Sequence, residues 1–238
     1  MDNLSRLIEI FSHFPGIGPR QARRFAYYLL GKPQSFINDF VKLVGEVKSA
    51  SNQCSECQRL FIDRGNGKLV PETSKSSRST LCNICSDTSR DRSTLMVVAR
   101  DSDFESIEKS GAYRGLYFIL GGTVPVLDKE PEKRIRLKSL LNRVSETITP
   151  SATSTTTASQ SASSSATSQL EEIILSLNTT PDGENTADIV HMSLNKLAQA
   201  YPAQNAPRIT VLGRGLSTGA ELEYVDGETI INALKNRA

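Results

Sequence analysis

Tryptophan is absent from this chain of 238 residues, and aromatic side chains as a whole make up only 6% of it. Long apolar runs are absent too, because no stretch approaches the ~18 apolar residues that a membrane-spanning helix needs. The sequence also lacks an excess of charge, since 28 Lys and Arg residues stand against 26 Asp and Glu residues. This composition is ordinary for a globular protein. Any nucleic-acid-binding role must therefore rest on where the basic residues cluster.

A secretion signal is likewise missing from the first residues. Asp2, Arg6, Glu9 and His13 interrupt the apolar positions there, whereas a signal peptide needs an uninterrupted hydrophobic region. We therefore expect a cytoplasmic protein that makes no contact with a membrane.

Cysteine is scarce, and its placement is regular: the four cysteines form two Cys-x-x-Cys pairs. In a reducing compartment such pairs indicate a metal site rather than disulfides. Two pairs supply four thiolates to a tetrahedral Zn²⁺ and leave no position open for chemistry, so the predicted role is structural. Four free thiols or a redox pair are the alternatives, but no cysteine lies outside the pairs and neither pair follows a strand. The predicted ligands of one Zn²⁺ per chain are Cys54, Cys57, Cys82 and Cys85.

Two glycines and two prolines precede a basic helix in the segment FPGIGPRQARRFAYYLL, residues 14–30. Apolar residues at helical spacing predict one helix before this turn and a second one after it, with apolar stripes that can pack together. A third helix is predicted over residues 35–50, where Phe36, Phe40, Leu43 and Val44 can close a small helical unit.

The turn between the first two helices has the composition of a phosphate-binding hairpin. Glycines let the backbone approach a ligand without Cβ clashes, and a helix N-terminus presents free amide N–H groups to an anion. Three arginines add positive charge on the side of the helix opposite its apolar stripe, as a sequence-independent DNA contact requires. The alternative is a hairpin that only packs two helices and exposes its arginines to solvent. The candidate DNA-binding residues are Gly16, Gly18, Arg20, Arg23 and Arg24.

Beyond residue 92, short apolar runs alternate with amphipathic helices, a pattern typical of a mostly parallel sheet. The predicted strands are 94–98, 116–120, 171–177 and 208–212. Residues 150–169 interrupt this pattern with almost only Ser, Thr and Ala, so we predict a disordered insert there, with a modified tract as the alternative. A last helix is predicted near the end of the chain, with Asp226 as its cap.

These motifs and their order resemble the RecR family of bacterial recombination mediators over most of the chain. The resemblance implies an α/β protein with an N-terminal helix-hairpin-helix, a small four-cysteine zinc module, a Toprim-like mostly parallel sheet domain and a C-terminal helical assembly segment. The implied divisions are 1–50, 51–92, 93–212 and 213–238. The segments that carry the resemblance are residues 14–30, the cysteine pairs, and residues 85–122, 177–189 and 215–237.

The resemblance also implies partners. Members of the family form ring-like oligomers on DNA and act with RecO, and in some lineages RecF, to load RecA onto gapped DNA. It thus predicts a homo-oligomer, dimer or tetramer, that associates with the nucleoid. Its ligands would be gapped, single-stranded and double-stranded DNA, bound without sequence preference.

The chain departs from the family pattern at the enlarged spacer between the cysteine pairs, residues 58–81, and at the Ser/Thr tract 150–169, and from catalytic Toprim domains at two sites. Ala99 stands where catalytic Toprim domains carry a glutamate, and Asn178-Thr179-Thr180 stands where they carry Asp-x-Asp for Mg²⁺. We therefore expect a non-enzymatic mediator, with a Mg²⁺-dependent Toprim nuclease or topoisomerase-like enzyme as the alternative and a protein-binding zinc scaffold as a third hypothesis. Capping and loop solvation are the roles expected for the acidic residues near strand ends, Asp101, Asp103, Asp182 and Glu184.

Overall fold

A computed structural model describes residues 2–62, 80–128, 130–148, 170–202, 206–213 and 227–235. The predicted insert at 150–169, most of the enlarged spacer between the cysteine pairs and the predicted cap Asp226 lie outside the described residues. The chain divides into two compact units, Met1–Asn52 with Ile62–Arg78 and Gln53–Phe61 with Ser79–Ala238. Across the described part of the chain, none of the helices combines the length and the apolar character needed to span a bilayer.

The first unit contains three helices: α1 (Asn3–Ser12), α2 (Pro19–Leu30) and α3 (Gln34–Ala50). Asp2 caps α1, because its Oδ1 accepts a hydrogen bond of 2.7 Å from the amide of Ser5. The apolar stripes of α1 and α2 pack on each other, as the sequence predicts. Their common core is formed by Phe11, Ala22 and Ala26, with Leu4, Leu7, Ile8, Ile17, Phe25 and Leu29 around it.

The expected burial of α3 was wrong. Phe36, Phe40, Leu43 and Val44 are all exposed, although their spacing places them on one side of the helix. The small core between α1 and α2 is complete without them, and α3 reaches α2 through the edge-to-face contact between the rings of Tyr28 and Phe36. An amphipathic pattern predicts that a face will be covered, but it does not say by what.

The second unit is built on a four-stranded sheet of β3 (Asp91–Val98), β4 (Gly115–Ile119), β5 (Glu172–Ser176) and β6 (Arg208–Val211). All neighbouring strands are parallel, in the order β4-β3-β5-β6, which confirms the predicted strands and the predicted direction of the sheet. Helices connect them: α5 (Asp101–Ser110), α6 (Pro131–Arg134), α7 (Leu137–Ile148) and α8 (Pro181–Ala198), with α9 (Gly227–Lys235) following β6. The remaining elements, β1 (Ser51–Gln53), β2 (Leu60–Ile62) and α4 (Asn83–Ser86), belong to the cysteine segment.

Both faces of the sheet are buried at β3 and β4, which explains why these two strands read as continuous apolar runs rather than as alternating ones. Successive side chains of β3 point to opposite faces, so Leu95 and Val97 join one core and Met96 and Val98 join the other. The first core is covered by α7 and α8. The second contains Phe104 of α5 together with all four cysteines.

The first turn of α8 generates a prediction about the fold. Gly183 is buried, and a Cβ there would overlap the carbonyl group of Asn178. We expect Gly183→Ala to lower the free energy of unfolding by about 1–3 kcal/mol, because backbone must move to make room. Urea unfolding of the purified protein measures this loss. Gly122→Ala is the matched control in the same unit, because its Cβ would make only an ordinary contact at 3.8 Å; equal stability of the two variants would contradict the prediction.

Candidate metal centre and nucleic-acid hairpin

The four cysteines converge on one buried point. Their Sγ atoms all lie within 4.8 Å of one another, and the Sγ atoms of Cys57 and Cys82 are 3.6 Å apart. A tetrahedral Zn²⁺ with Zn–S bonds of ~2.3 Å places its sulfur ligands ~3.8 Å apart. The arrangement therefore fits a four-coordinate metal with no open position, as the spacing predicts, although the identity of the ion comes from the ligand type rather than from the structure.

Local backbone geometry directs the thiols toward this point. Each pair forms a tight turn, in which the amide of Gln58 donates to the carbonyl of Cys54 at 3.0 Å and the amide of Ser86 donates to the carbonyl of Cys82 at 3.0 Å. Gln58 has a left-handed φ of 62°, the one positive φ at a non-glycine position within the described residues. The amide of Cys82 also donates to Cys54 Sγ at 3.4 Å, which favours a thiolate there.

Without a cation the cluster cannot ionise fully. Hydrogen bonds from the other three thiols, that of Cys57 above all, lower the pKa of Cys54. The hydrogen bond to Cys54 in turn raises the pKa values of Cys57 and Cys85. Against the opposing hydrogen bond with Cys54, those with Cys57 and Cys85 lower the pKa of Cys82 to about 6, so two of the thiols ionise at the expense of the other two. A bound divalent metal removes this conflict because it stabilises all of its thiolates at once.

The cysteine segment covers the open edge of the sheet. β4 is an edge strand, and the amide of Ile119 donates to the carbonyl of Cys57 at 2.9 Å. Arg143 of α7 clamps the same region, because its Nη1 donates to the carbonyls of Glu56 at 3.0 Å and Tyr117 at 2.8 Å. Arg136 acts in the same way toward Gln58, at 3.1 Å. Zinc site and sheet edge therefore share both a core and a set of hydrogen bonds.

Sequence reasoning missed these two arginines. Arg136 and Arg143 are seven residues apart, which places them on one side of a helical segment, but nothing in the sequence shows that the carbonyls they reach belong to the cysteine turn. Contacts between residues so distant along the chain follow from topology, and a single sequence does not encode them in a readable pattern.

The carboxyl edge of the sheet lacks the groups of a Mg²⁺ site. Ala99, at the end of β3, is fully buried, and its carbonyl accepts from the amide of Gly121 at 2.9 Å. Asp101 accepts from the amide of Leu60 at 3.0 Å, and Asp103 caps α5 through the amide of Arg100 at 3.0 Å. In the described residues, the cysteine cluster is the only group of three or more metal-binding side chains close enough to share an ion.

The N-terminal hairpin places its candidate residues together at the start of α2. Gly16 has a left-handed φ of 75°, whereas Gly18 has a φ of −82° that any residue can adopt. Gly18 is the N-cap of α2 and provides no side-chain hydrogen bond to the first amides. Arg20, Arg23 and Arg24 are all exposed, and a Cβ added at either glycine would meet no atom within 4 Å.

Family models match three parts of this chain, and full-length relatives match almost all of it. Family models match residues 4–44 (RecR, helix-hairpin-helix), 93–199 (Toprim domain) and 215–238 (RecR, C-terminal). A protein named Recombination protein RecR from Lactococcus lactis subsp. cremoris (strain MG1363) is 33% identical over 234 residues, which cover 98% of this chain and 96% of the relative. The chain belongs to the RecR family. RecR proteins of Streptococcus mutans and Streptococcus thermophilus are 33% and 31% identical over the same lengths.

The metal centre of this RecR-family chain generates a prediction. Purified protein should contain one zinc per chain, and Cys54→Ser should lose it. Structural zinc contributes an apparent ~10 kcal/mol or more in small modules, and here the cysteines share a core with Met96 and Val98. We therefore expect the variant to weaken the whole sheet unit, seen as faster amide exchange in β4 as well as in the cysteine turns.

Elemental analysis and hydrogen exchange measure these two effects. Ser86→Ala is the control, since Ser86 is exposed next to Cys85 and is not a thiol. Absence of zinc from the purified wild-type protein would rule out the metal assignment. Normal exchange in β4 of the Cys54→Ser variant would show that the sheet does not depend on the site.

Proposed function

We propose that this RecR-family chain is a DNA-binding mediator of recombinational repair that performs no catalysis of its own. It binds gapped, single-stranded and double-stranded DNA through the phosphate backbone, at the hairpin formed by Gly16, Gly18, Arg20, Arg23 and Arg24. The observation that carries the proposal is the open space around Gly18, together with its ordinary backbone conformation. Glycine is a common N-cap residue, and here the open space around Gly18 also leaves the first amides of α2 accessible to a ligand.

The surroundings of Gly18 support a phosphate as that ligand. The first turn of α2 has no side-chain cap, and its exposed amides lie where a helix favours an anion. Arg20, Arg23 and Arg24 are exposed and have no ion-pair partner within the described residues. Such a set of contacts recognises the DNA backbone and carries no information about base sequence.

We further propose a homo-oligomer, dimer or tetramer, that closes around DNA as a ring. The exposed apolar side of α3 supports it, because Phe36, Phe40, Leu43 and Val44 expose more apolar area along one helix than scattered surface residues would. A second copy of the chain would cover this surface in a symmetric interface.

The family and the names of its members support the remaining parts of the proposal. The mediator acts in the cytoplasm at the nucleoid, with RecO-like and in some settings RecF-like proteins, and helps to load RecA onto gapped DNA. Residues 1–50 contact DNA, 51–92 hold one structural Zn²⁺, 93–212 dock partners, and 213–238 serve assembly.

A Mg²⁺-dependent Toprim nuclease or topoisomerase-like enzyme remains the second candidate, and the match of residues 93–199 to the Toprim model favours it. The residues at the carboxyl edge argue against it. Ala99 has no acid or base to offer, and Asn178 and Thr180 replace the carboxylates that would hold the metal. Thr180 has a structural role, because its Oγ1 accepts from the amide of Gly183 and caps α8.

The hairpin generates a prediction about salt dependence. Arg20→Ala and Arg23→Ala should weaken binding to every DNA sequence alike, and each phosphate that a variant no longer binds should reduce the slope of log affinity against log salt by ~0.9 on duplex DNA. Fluorescence anisotropy at several salt concentrations measures this slope, and circular dichroism checks that the fold is intact. Lys42→Ala is the matched control, because Lys42 is an exposed cation of the same unit and lies on α3.

Gly18→Val extends this test without a change of charge. Because a Cβ at this position meets no atom of the chain, the fold should tolerate the substitution. The new side chain would occupy the space through which a phosphate approaches the amides, so DNA binding should weaken. If both arginine variants and Gly18→Val keep wild-type affinity and salt slope, the hairpin only packs two helices.

The absence of catalysis is a separate prediction. Pure protein incubated with supercoiled plasmid or gapped duplex and Mg²⁺ should leave both substrates intact, since removal of a general acid or base typically costs orders of magnitude in rate. Gel electrophoresis of the products measures this. Mg²⁺-dependent nicking that Asp182→Ala abolishes would establish the enzyme instead, because Asp182 lies in the first turn of α8 beside the carboxyl edge.

A further inference from the structure

A cavity of about 410 Å³ lies in the sheet unit, and neither the cysteines nor the hairpin residues line it. Leu120 and Gly121, at the carboxyl end of β4, form one side of it. Segment 132–139, which covers the end of α6 and the first turn of α7, forms the other. The cavity thus lies at the carboxyl edge of the sheet, beside the edge strand β4 and one strand away from the point between β3 and β5 where the strand order reverses.

The lining of this cavity is strongly basic. Lys133, Arg134, Arg136 and Lys138 contribute to it, against the single carboxylate of Glu132. Glu130 and Asp128 lie outside the lining but pair with Lys133 and Arg134, so Arg136 is the one lining cation without a carboxylate partner in the described residues. An anion is the class of ligand that such a lining favours.

Three of the four cations are held in ion pairs; those of Lys138 and Lys133 are exposed, whereas Arg134 pairs with a half-buried Asp128. Lys138 Nζ is 2.8 Å from Glu132 Oε2, and Lys133 and Arg134 pair with Glu130 and Asp128. Exposed pairs of this kind contribute ~0–1 kcal/mol, so a phosphate oxygen can replace a carboxylate at little cost. The cations are thus held in place while their charge stays available.

Arg136 differs from the other three. It is half-buried, and its Nη1 donates to the carbonyls of Gln58 at 3.1 Å and Ile119 at 3.2 Å, which hold the guanidinium against Gly121. No carboxylate pairs with it anywhere in the described residues. A guanidinium that is fixed by carbonyls and not neutralised is suited to bind a planar or tetrahedral oxyanion.

We propose that this cavity binds a phosphate group, with Arg136 and Lys138 as its principal contacts. The DNA backbone is the source that the proposed function supplies, and the inference rests on that function to this extent. The site lies in a different compact unit from the hairpin, so it provides a DNA contact of the sheet unit itself. A free phosphate compound is the other source of the same chemistry.

The test compares a variant that loses two positive charges at the cavity with a variant that loses one negative charge there. Anisotropy titrations with a labelled single-stranded oligonucleotide compare wild type, Lys133→Ala/Lys138→Ala and Glu132→Gln at several salt concentrations. The double lysine variant should bind more weakly, with a salt slope reduced by ~0.7 for each phosphate that it no longer binds. Glu132→Gln should bind more tightly than wild type, because it frees Lys138 from its competing carboxylate. A merely structural ion pair predicts no gain from Glu132→Gln.

Lys109→Ala/Lys196→Ala is the matched control. Both residues are exposed in the last turns of α5 and α8, and the variant loses the same charge as the double lysine variant. Equal losses of affinity in the two double variants would reduce the effect to net charge and overturn the proposal. No gain from Glu132→Gln would overturn it separately, because Lys138 would then not bind the phosphate in competition with this carboxylate.

Two further probes identify the ligand. Inorganic pyrophosphate at constant ionic strength should compete with the oligonucleotide in the wild type and less well in Lys133→Ala/Lys138→Ala; pyrophosphate binding without any cavity-dependent DNA binding would assign the site to a free phosphate compound. Competition by polyglutamate but not by pyrophosphate would overturn the phosphate assignment. The Arg20→Ala/Arg23→Ala background separates the two proposals, since cavity-dependent binding that persists there survives a failure of the hairpin.

Discussion

The contact between the cysteine turn and β4 solves two physical problems at once. An edge strand leaves backbone donors and acceptors unpaired, and a segment with few apolar residues cannot build a core of its own. The amide of Ile119 finds its acceptor in Cys57, while the four buried thiols complete the core on one face of the sheet. A metal ion that orders the thiols therefore also holds the cover of the sheet edge in place. A metal ion held by the four thiols would therefore be coupled to the integrity of the sheet through this contact.

The sequence was most informative where a pattern is local. The four strands follow from short apolar runs, the cap that Asp103 provides to α5 from its place near a strand end, and the metal cluster from the spacing of the cysteines. It failed at α3, whose apolar side predicts burial but is exposed. It also gave no sign of the clamp by Arg143, because that contact joins residues far apart along the chain. Periodicity predicts which face of a helix or strand will be buried. The element that buries this face depends on the topology of the fold.

The two glycines of the hairpin belong to one sequence motif but differ in backbone conformation. Gly16 is explained by its own backbone, since a φ of 75° strains any residue with a Cβ. Gly18 has no such explanation, because its conformation is ordinary and its surroundings are open. The sequence treats them as equivalent members of one motif. Only the conformation separates Gly16, which shapes the turn, from Gly18, which is the N-cap of α2 and is surrounded by open space, so Gly18→Val tests the proposed function more directly than a substitution at Gly16.

The side chains at the carboxyl edge of the sheet also differ from those of a catalytic Toprim site. A catalytic Toprim site reaches phosphate through Mg²⁺, and Mg²⁺ requires carboxylates grouped at the ends of adjacent strands. Here Ala99 and Asn178 occupy those ends, while Arg136 and Lys138 line a cavity at the end of the neighbouring strand β4. Basic side chains bind a phosphate directly but do not activate it for cleavage in the way that a metal ion does. In the proposed function this difference matters, because a phosphate held by Arg136 and Lys138 would be bound without the metal ion that activates it for cleavage.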